Sequence, residues 1–381
     1  MKKWLVLLCA ILLTACTTAQ KPKEEEKTKK KEQKDEIIDV SFLAVGDNLI
    51  HGAIYYYNNN GDGTYSFDDI YQNTNYLTQA ADVAYINFET ICAGTELELS
   101  SYPTFNGPVE VIDAVNGAGF DWLSGASNHT FDRGEAGILK ELDYVRSNYP
   151  TMTITGIHDS AEDAQQSVVL NVKGLKIGVL DYTYGLNGFA LPEGKEYLVD
   201  LIDDDKMASD MEKLKKVSDV QIVSMHWGQE YQFAPNEEQE RLAQYLSDLG
   251  ADVIIGTHPH VIQPMDYVEG KDGNTTLVMY SLGNFLSAQD VNYRMLGGMA
   301  TWNLEYNKTK DSIAFKDVKF LPTITQIEGQ YSFYRTYALK DWSDELANRH
   351  TLKTVEGQEV SRQYFVDLVN EVMNDKVEIV Y

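Results

Sequence analysis

Short runs rich in β-branched residues alternate with amphipathic stretches from about residue 37 onward, and no other feature of the sequence constrains the fold as strongly. Such alternation is typical of α/β folds that contain much parallel sheet. The predicted strands cover residues 40–45, 83–88, 122–125, 152–155, 175–181, 220–225, 253–255 and 277–281. The predicted helices, which carry apolar residues at spacings of three and four, cover residues 67–80, 109–118, 134–148, 205–216 and 237–249.

Breaks in this pattern indicate how the rest of the chain is organised. The segment SVVLNVKGLKIGVLDY predicts an antiparallel hairpin that turns at Lys173 and Gly174. The folded part contains neither an internal repeat nor a second linker. We therefore expect one catalytic-sized domain over residues 37–310, with a less regular C-terminal extension, residues 311–381, packed on it.

The N-terminal segment is predicted to be a targeting signal rather than a part of the fold. MKKWLVLLCAILLTACTTAQ has a charged start, an apolar run and the tetrad LTAC, which ends at Cys16 and resembles a bacterial lipobox. Residues 1–15 are then a lipoprotein signal peptide, and lipidated Cys16 holds the protein at the outer face of the bacterial cytoplasmic membrane. An uncleaved transmembrane anchor is the alternative, although the apolar run is short for a span. Residues 16–36 are expected to be a flexible charged linker.

The charge of the chain excludes one class of partner. The formal net charge is −26, and removal of residues 1–34 leaves 23 basic against 54 acidic residues. Nucleic-acid binding needs clustered Lys and Arg on the folded part. We therefore expect no nucleic-acid partner, and binding of any other polyanion would depend on bound metal to reverse the charge locally.

Side chains of the kinds that bind metals follow the predicted strands. They are Asp47 and His51 after the first strand, Glu89 after the second, Asn128, His129 and Asp132 after the third, His226 and Glu230 after the strand at 220–225, and His258 and His260 after the strand at 253–255. Five of the seven histidines lie in these loops. Because ligands of parallel α/β sheets bind outside the carboxyl ends of strands, these segments are expected to converge.

Two histidines flank a proline in the stretch GTHPHVIQP. Pro259 biases His258 away from helix and stiffens the turn, so that His258 and His260 could serve neighbouring ions. A mixture of carboxylate, amide and imidazole ligands suits Mn, Fe or Zn, and the number of candidates favours a two-metal centre. Taken singly, each loop has an ordinary alternative: Asp47 as a turn residue, Glu89 as an exposed helix cap, and the two histidines as a surface turn. The ordered set at successive strand ends favours the metal site.

Six motifs carry a family resemblance. In the order GDNLIH, NFET, SNHTFDRGEAGI, SMHWGQEY, GTHPHVIQP and YSLGNFL, they closely resemble the CapA-type poly-γ-glutamate capsule biosynthesis proteins, which are related to calcineurin-like metallophosphoesterases. The resemblance covers roughly residues 39–290 and implies a metallophosphatase-like layered sandwich of two β-sheets flanked by helices. It also implies roles at the strand ends: Asp47 and His260 on one ion, Glu89 bridging both ions, Asn128, His226 and His258 on the second, and His129 as a proton donor oriented by Asp132.

The sequence departs from the wider phosphoesterase pattern in two places. Those enzymes open with Asp-x-His, whereas His51 lies four residues after Asp47, and Glu89 replaces a bridging Asp. His51 is therefore left open between metal ligation, substrate contact and a place in the loop. Glu230 and Asn284 are left open between contact with substrate and structural hydrogen bonding, and Arg133 is a further candidate for substrate binding.

Together these features predict a lipid-anchored, extracellular hydrolase of poly-γ-glutamate capsule biosynthesis or export that uses two divalent transition-metal ions (Mn, Fe or Zn). The expected partners are an anionic envelope polymer or a phosphoester, the cytoplasmic membrane, and membrane-bound capsule synthase subunits. Two alternatives stay open: a non-catalytic metal-containing scaffold for polymer or synthase, and an envelope phosphodiesterase or phosphatase. The presence of His129 beside Asn128 favours catalysis, because a pure binding site needs no proton donor.

Overall fold

Two mixed β-sheets form the centre of the fold. The computed structural model describes Met1 and residues 35–381. The strands of this part are β1 (Ile37–Asn48), β2 (Val83–Asn87), β3 (Trp122–Ser124), β4 (Thr153–Thr155), β5 (Val168–Val172), β6 (Leu175–Thr183), β7 (Val220–His226), β8 (Val253–Thr257), β9 (Ile262–Glu269), β10 (Thr275–Leu282), β11 (Asn284–Leu286), β12 (Leu296–Asn307), β13 (Ser312–Glu328), β14 (Phe333–Ala338) and β15 (Glu378–Ile379).

The helices of the described residues connect and cover these strands. They are α1 (Gly52–Tyr57), α2 (Asp68–Tyr71), α3 (Asn75–Thr78), α4 (Glu110–Gly117), α5 (Gly134–Asn148), α6 (Asp204–Leu214), α7 (Glu237–Leu249), α8 (Asp344–Arg349), α9 (Thr351–Thr354) and α10 (Arg362–Val372). The ends of α7 follow from its sequence: Asn236 and Gln239 form a capping box, and Gly250 ends the helix with a φ of 93°.

The first sheet has the order β14-β13-β12-β1-β2-β3-β4, with β11 paired to β1 and β15 paired to β13. The second has the order β5-β6-β7-β8-β10-β9. The strands β1 to β4 are parallel to one another, as are β6, β7, β8 and β10. Antiparallel pairing adds β12, β13 and β14 to the first sheet and β5 and β9 to the second, whereas β11 and β15 pair parallel with β1 and β13. The predicted α/β class with much parallel sheet is confirmed.

The two sheets face each other across a shared apolar core. In the second sheet, Ile222 and Ile255 belong to the core that also contains strands of the first sheet. Their neighbours Val223 and Ile254 face the opposite way and pack with α6 and α7. Because both faces are covered, these strands read as continuous apolar runs rather than as alternating ones. The result is the layered arrangement of two sheets with flanking helices that the sequence resemblance implied.

The predicted hairpin is confirmed, and the predicted helix over residues 67–80 is wrong as a single element. Strands β5 and β6 pair antiparallel around Lys173 and Gly174, both of which have positive φ. The helix is instead interrupted between α2 and α3 at Thr74, whose hydroxyl donates to the carbonyl oxygen of Tyr71 at 3.0 Å. Side chains of this kind compete with the helical hydrogen bonds of the backbone.

Residues 311–381 are more regular than the sequence indicated. Strands β13, β14 and β15 belong to the first sheet, and β13 spans 17 residues. Residue 310 lies in the turn between β12 and β13, which pair antiparallel over most of their length. The strands of the C-terminal segment thus belong to the first sheet.

Several predictions concern the N-terminal segment. Apart from Met1, the predicted signal peptide (residues 1–15), Cys16 and the linker up to residue 34 lie outside the described residues. The chain divides into two units, Met1–Asp35 and Glu36–Tyr381, and every strand and helix given above lies in the second. Within the described part of the chain, no helix is long and apolar enough to cross a membrane.

Candidate metal centre

The carboxyl ends of the parallel strands bring polar side chains to one edge of the fold. Asp47, near the end of β1, lies opposite Asn87 of β2 and Asn284 of β11. His226, at the end of β7, lies opposite Thr257 at the end of β8. The loops that follow these strands therefore start from neighbouring points, as expected for parallel α/β sheets.

A close backbone approach fixes the position of Asp47. Its N–H donates to the carbonyl oxygen of Gly283 at 2.8 Å. A Cβ atom on the preceding residue, Gly46, would lie 1.9 Å from that same oxygen. Only glycine therefore allows β1 to approach this segment closely enough to place the Asp47 carboxylate.

Asp47, Glu89 and His260 form the first group of potential metal ligands. One side-chain atom from each lies within 4.8 Å of the others, and all three residues are buried. His260 Nδ1 is 3.0 Å from Asp47 Oδ2 and 3.1 Å from Asn284 Oδ1, and its Nε2 is 3.7 Å from Glu89 Oε1. Asn87 donates to the other Asp47 oxygen at 2.8 Å. Two amides thus orient the members of this group.

Glu89 also belongs to a second group, with His226 and His258. The Nε2 atom of His226 is 3.9 Å from Glu89 Oε1 and 3.0 Å from Asn128 Oδ1, while its Nδ1 is 3.0 Å from the hydroxyl of Thr257. The structure therefore brings all six predicted ligands together, with Glu89 common to the two groups and Asn128 beside the second.

The turn that carries His258 and His260 has an unusual backbone. Both residues have positive φ, 94° and 58° respectively, which non-glycine residues rarely adopt. The intervening Pro259 accepts a hydrogen bond from the N–H of Tyr231 at 2.7 Å, and the N–H of His258 donates to Asp47 at 3.2 Å. A strained backbone of this kind persists only where the surrounding structure holds it in place. Here it directs His260 to the first group of ligands and His258 to the second.

The buried polar atoms of the two groups fit a divalent cation. Both carboxylate oxygens of Glu89 and the Nδ1 atom of His258 are buried without a hydrogen-bond partner. Leaving a buried polar atom unpaired costs about 1–3 kcal/mol. Carboxylate and imidazole ligands together suit Mn, Fe or Zn, so a cation bound by these residues would satisfy the atoms that the protein leaves unpaired.

Burial and charge set the protonation of the ligands. Burial lowers the pKa of His258 to about 3 and also lowers the pKa of His226, so both imidazoles are in the neutral form that binds metals. Burial raises the pKa of Glu89. Although burial alone would lower the pKa of His260, the carboxylates of Glu89 and Asp47 raise it to about 9. Metal binding here would therefore release protons.

His129 and Asp132 form a buried pair beside these groups. His129 Nδ1 is 2.7 Å from Asp132 Oδ2, which also accepts a hydrogen bond from the N–H of Phe105 at 2.6 Å. The Phe105 ring meets the imidazole edge to face, with centroids 4.6 Å apart. The Asp132 contact thus engages one ring nitrogen of His129 and leaves the other available.

A cleft of about 420 Å³ opens beside the ligands. His129 and His260 line it, together with His51, Glu230, Tyr231 and Arg294. His51 belongs to neither group of potential ligands, and its Nδ1 accepts from the N–H of Ala288 at 3.2 Å. Burial lowers the pKa of His51 to about 4. Glu230 is exposed on the cleft. The structure therefore places His51 and Glu230 at the cleft rather than among the ligands.

Asn284 and Arg133 occupy different surroundings. Asn284 is fully buried and holds His260, as described above, so its contacts are structural hydrogen bonds at the edge of the site. Arg133 does not line the cleft. Its guanidinium donates to the carbonyl oxygen of Asp132 at 2.9 Å and to the hydroxyl of Ser100, and this directs the charge toward the loop that contains Ser100.

Sequence reasoning missed several residues at this edge. The Tyr184 ring lies 4.6 Å from the ring of His258, and Asn187 accepts from Asn128 at 3.1 Å and lies 3.3 Å from His129 Nδ1. Both follow β6, whose carboxyl end is at the same edge. They could therefore have been predicted from the rule that ligands bind outside the carboxyl ends of parallel strands. Arg294 lies in a short 3-10 helix after β11 and carries no sequence signal of its role.

Some solved structures are similar to this chain at low sequence identity. A phosphatase from Mycoplasma pneumoniae is 13% identical with a TM-score of 0.47, over 75% of this chain and 94% of that one. A 5'-nucleotidase precursor from Thermus thermophilus is 14% identical with a TM-score of 0.43, over 79% of this chain and 54% of that one.

Closer relatives are found among curated proteins. The PGA biosynthesis protein CapA of Bacillus subtilis is 31% identical in an alignment of 261 residues that covers 64% of this chain and 63% of that protein. The capsule biosynthesis protein CapA of Bacillus anthracis is 30% identical in an alignment of 205 residues that covers 52% of this chain and 48% of that protein. The chain thus matches less than two thirds of the length of either relative. The family of bacterial capsule synthesis proteins, PGA_cap, matches residues 41–289, which is more than half of the 381 residues, and the chain belongs to this family.

Proposed function

We propose that this chain is a metal-dependent hydrolase that acts on an anionic polymer of the bacterial envelope, in the synthesis or export of a poly-γ-glutamate capsule. The observation that carries the proposal is the pair of ligand groups that share Glu89, because two adjacent groups of this composition suit a binuclear centre. The name of the Bacillus subtilis relative, a PGA biosynthesis protein, supports the choice of polymer.

The residues around the ligands support hydrolysis as the reaction. Two divalent ions held by the two ligand groups would supply Lewis-acid chemistry, which activates water and polarises a phosphoryl or acyl oxygen. His129 lines the cleft and is held through Nδ1 by Asp132, so its other nitrogen is placed to deliver a proton to a leaving group.

The proposal includes an extracellular location. The LTAC tetrad ending at Cys16 supports attachment through lipid to the outer face of the cytoplasmic membrane, where a capsule polymer emerges. Membrane-bound synthase subunits are the proposed partners. Because the chain carries a formal charge of −26, we expect its affinity for an anionic polymer to depend on bound metal and to be lost in chelator.

The test is turnover by the purified chain after loading with Mn or Zn. Two probes separate the possible reactions: a γ-linked oligoglutamate for amide hydrolysis, and bis(4-nitrophenyl) phosphate for phosphoester hydrolysis. We expect metal-dependent turnover of at least one probe, abolished by Glu89→Gln. The matched control is Glu212→Gln, because Glu212 is an exposed residue of α6 that pairs with Lys216, beyond the end of that helix.

The outcomes separate enzyme from scaffold. Metal-dependent turnover that Glu89→Gln removes and Glu212→Gln spares supports the proposal. A chain that binds its metal and the oligoglutamate but turns over neither probe contradicts it, and would establish a metal-containing scaffold instead. Turnover of the phosphodiester alone would keep the hydrolase and replace the polymer with an envelope phosphoester.

A further inference from the structure

The cleft beside the ligands contains one arginine, and its charge is not neutralised. Arg294 lines the cleft together with Tyr231 and His260. No carboxylate of the described residues lies within ion-pair distance of its guanidinium. Its Nε atom is buried without a hydrogen-bond partner, and Nη2 has only a long contact of 3.5 Å with the Tyr293 hydroxyl. The charge is therefore available to a ligand.

Other arginines of the chain are used differently. Arg146, Arg241 and Arg349 are surface side chains, and each pairs with two carboxylates. In a protein with 58 acidic and 32 basic residues, such pairing is the expected fate of an arginine. Arg294 instead stacks on tyrosine, with its guanidinium carbon 3.6 Å from the centre of the Tyr231 ring.

The surroundings hold this guanidinium close to the metal ligands. The Tyr231 ring that supports it also lies 6.0 Å from the ring of His260. Asn284 donates to the backbone carbonyl oxygen of Arg294 at 3.0 Å and contacts Nδ1 of His260 at 3.1 Å. Arg294 and His260, a member of the first group of ligands, thus both contact Tyr231 and Asn284.

The remaining charges of the cleft explain why a cation is needed there. Glu230 and Asp290 also line the cleft, so an anionic substrate meets two carboxylates as it enters. An arginine binds carboxylates and phosphates through two parallel hydrogen bonds, and it remains charged at all physiological pH values. Arg294 is the only Arg or Lys among the described residues that line this cleft.

We propose that Arg294 binds a second oxyanion of the substrate, next to the group that reacts at the metal ligands. The substrate is then a chain with repeated carboxylates or phosphates rather than a molecule with a single anionic group. This inference rests on the proposed function, since it assigns the substrate contact of that same site, and it replaces Arg133 as the cationic contact.

The test compares probes that have one or several oxyanions. The full chain and its Arg294→Gln and Arg294→Lys variants are loaded with Mn, and the KM and kcat for bis(4-nitrophenyl) phosphate are measured beside binding of a γ-linked oligoglutamate and a short polyphosphate by calorimetry. Arg241→Gln is the matched control, because it removes the same charge from an exposed ion pair. Thermal unfolding of each variant confirms that it is folded.

We expect Arg294→Gln to weaken binding of at least one multiply charged probe by roughly 10- to 100-fold, the contribution of a charge-assisted hydrogen bond. The loss for the single-oxyanion diester should be smaller, and Arg294→Lys should recover part of the binding because it keeps the charge but not the planar fork. Loss with the oligoglutamate identifies a carboxylate polymer, and loss with polyphosphate alone identifies a phosphate polymer.

Two results would overturn the inference. One is unchanged binding of both multiply charged probes in Arg294→Gln, and the other is an equal loss for the diester, which indicates a structural role for the stack on Tyr231. Because the binding arm needs no turnover, a chain that hydrolyses nothing would defeat the proposed function while the role of Arg294 is still decided by calorimetry.

Discussion

Besides the ligands His260 and Asp47, the described residues contain two buried histidine–aspartate pairs, and only one of these two lies beside the metal ligands. His129 and Asp132 are 2.7 Å apart, and His158 and Asp200 are 2.9 Å apart. All four residues are less than a tenth exposed. The pairs are thus alike in chemistry and burial, and the difference between them lies in what surrounds each one.

The pair at the cleft is incompletely bonded. Besides His129, Asp132 accepts the N–H of Phe105, but its Oδ1 atom is buried without a partner. The imidazole of His129 faces the cleft that contains His260. No Lys or Arg forms an ion pair with Asp132 in the described residues. No neighbouring cation therefore offsets a change in the charge of the pair of His129 and Asp132.

The second pair is part of a closed ionic network. Asp200 also lies 3.1 Å from the ammonium of Lys206, and His158 Nδ1 lies 3.8 Å from Asp163, which pairs with Arg146. Burial alone would raise the pKa of Asp200, but His158 and Lys206 lower it below its usual value. A pair whose charges are already satisfied stabilises the fold, whereas one that is open toward a cleft can exchange a proton with a ligand there.

The largest effect is expected for the pair beside the cleft, His129 and Asp132. His129→Gln should lower kcat by roughly 10²–10⁴-fold, the usual contribution of general acid catalysis, and should leave metal content unchanged. Elemental analysis and turnover of the same preparation measure both quantities. His158→Gln is the matched control, and equal activity losses in the two variants would remove the functional distinction between the pairs.

A smaller loss is expected for the carboxylate that holds His129. Asp132→Asn keeps an acceptor for the N–H of Phe105 but replaces a charge-assisted hydrogen bond to the imidazole, so kcat should fall by about 10- to 100-fold. Steady-state kinetics measure this fall. An unchanged kcat would mean that Asp132 serves only the loop.

Substitution in the pair of His158 and Asp200 should lower the stability of the fold and leave the rate of turnover unchanged. His158→Gln leaves the buried carboxylate of Asp200 with Lys206 alone, so the free energy of unfolding should fall by about 1–3 kcal/mol while kcat is unaffected. Because the pKa of Asp200 is lowered in the fold, its contribution is present above the unfolded-state pKa and is lost as the pH falls through the folded-state value. Denaturant titration near neutral pH measures the difference; a loss of activity without a loss of stability would contradict it.

A buried carboxylate without any histidine or cation sharpens the comparison further. Glu141 accepts the N–H of Cys92 at 2.5 Å, and burial raises its pKa from 4.5 to about 8. Its protonated form therefore stabilises the fold fully below pH 4.5, and this stability is lost as the pH rises through about 8. Glu141→Gln should raise Tm relative to the parent at high pH more than at low pH. A difference in Tm that does not vary with pH would show that Glu141 is not protonated in the fold.

Much of this site could be predicted because it follows a rule of topology. Parallel strands end at one edge, so residues such as Asp47 and His226 could be grouped from sequence alone, although they lie far apart in the chain. Helix α7 was predicted with its observed ends because its caps are local signals. These features depend on the identity of a few neighbouring residues and on a general property of the sheet.

The rest depends on contacts that no local pattern reports. The long antiparallel pairing of β12 with β13 made the C-terminal segment part of the sheet, and the sequence of β13 alone does not indicate its partner. Arg294 could not be assigned because its role depends on Tyr231, 63 positions earlier, rather than on a motif. Arg133 looked suitable beside Asp132 in sequence, but its side chain turns to Ser100.

Metal content tests the central claim most directly. The purified chain, loaded with Mn or Zn, is measured by elemental mass spectrometry beside an Asp47→Ala, His260→Ala double variant, Glu89→Gln and the control Glu212→Gln. We predict about two ions per chain in the parent and control, about one in the double variant, and weakened binding of both ions in Glu89→Gln, because Glu89 belongs to both ligand groups. A parent chain that takes up no metal, or variants that retain as much as the parent, would contradict a binuclear centre at these strand ends.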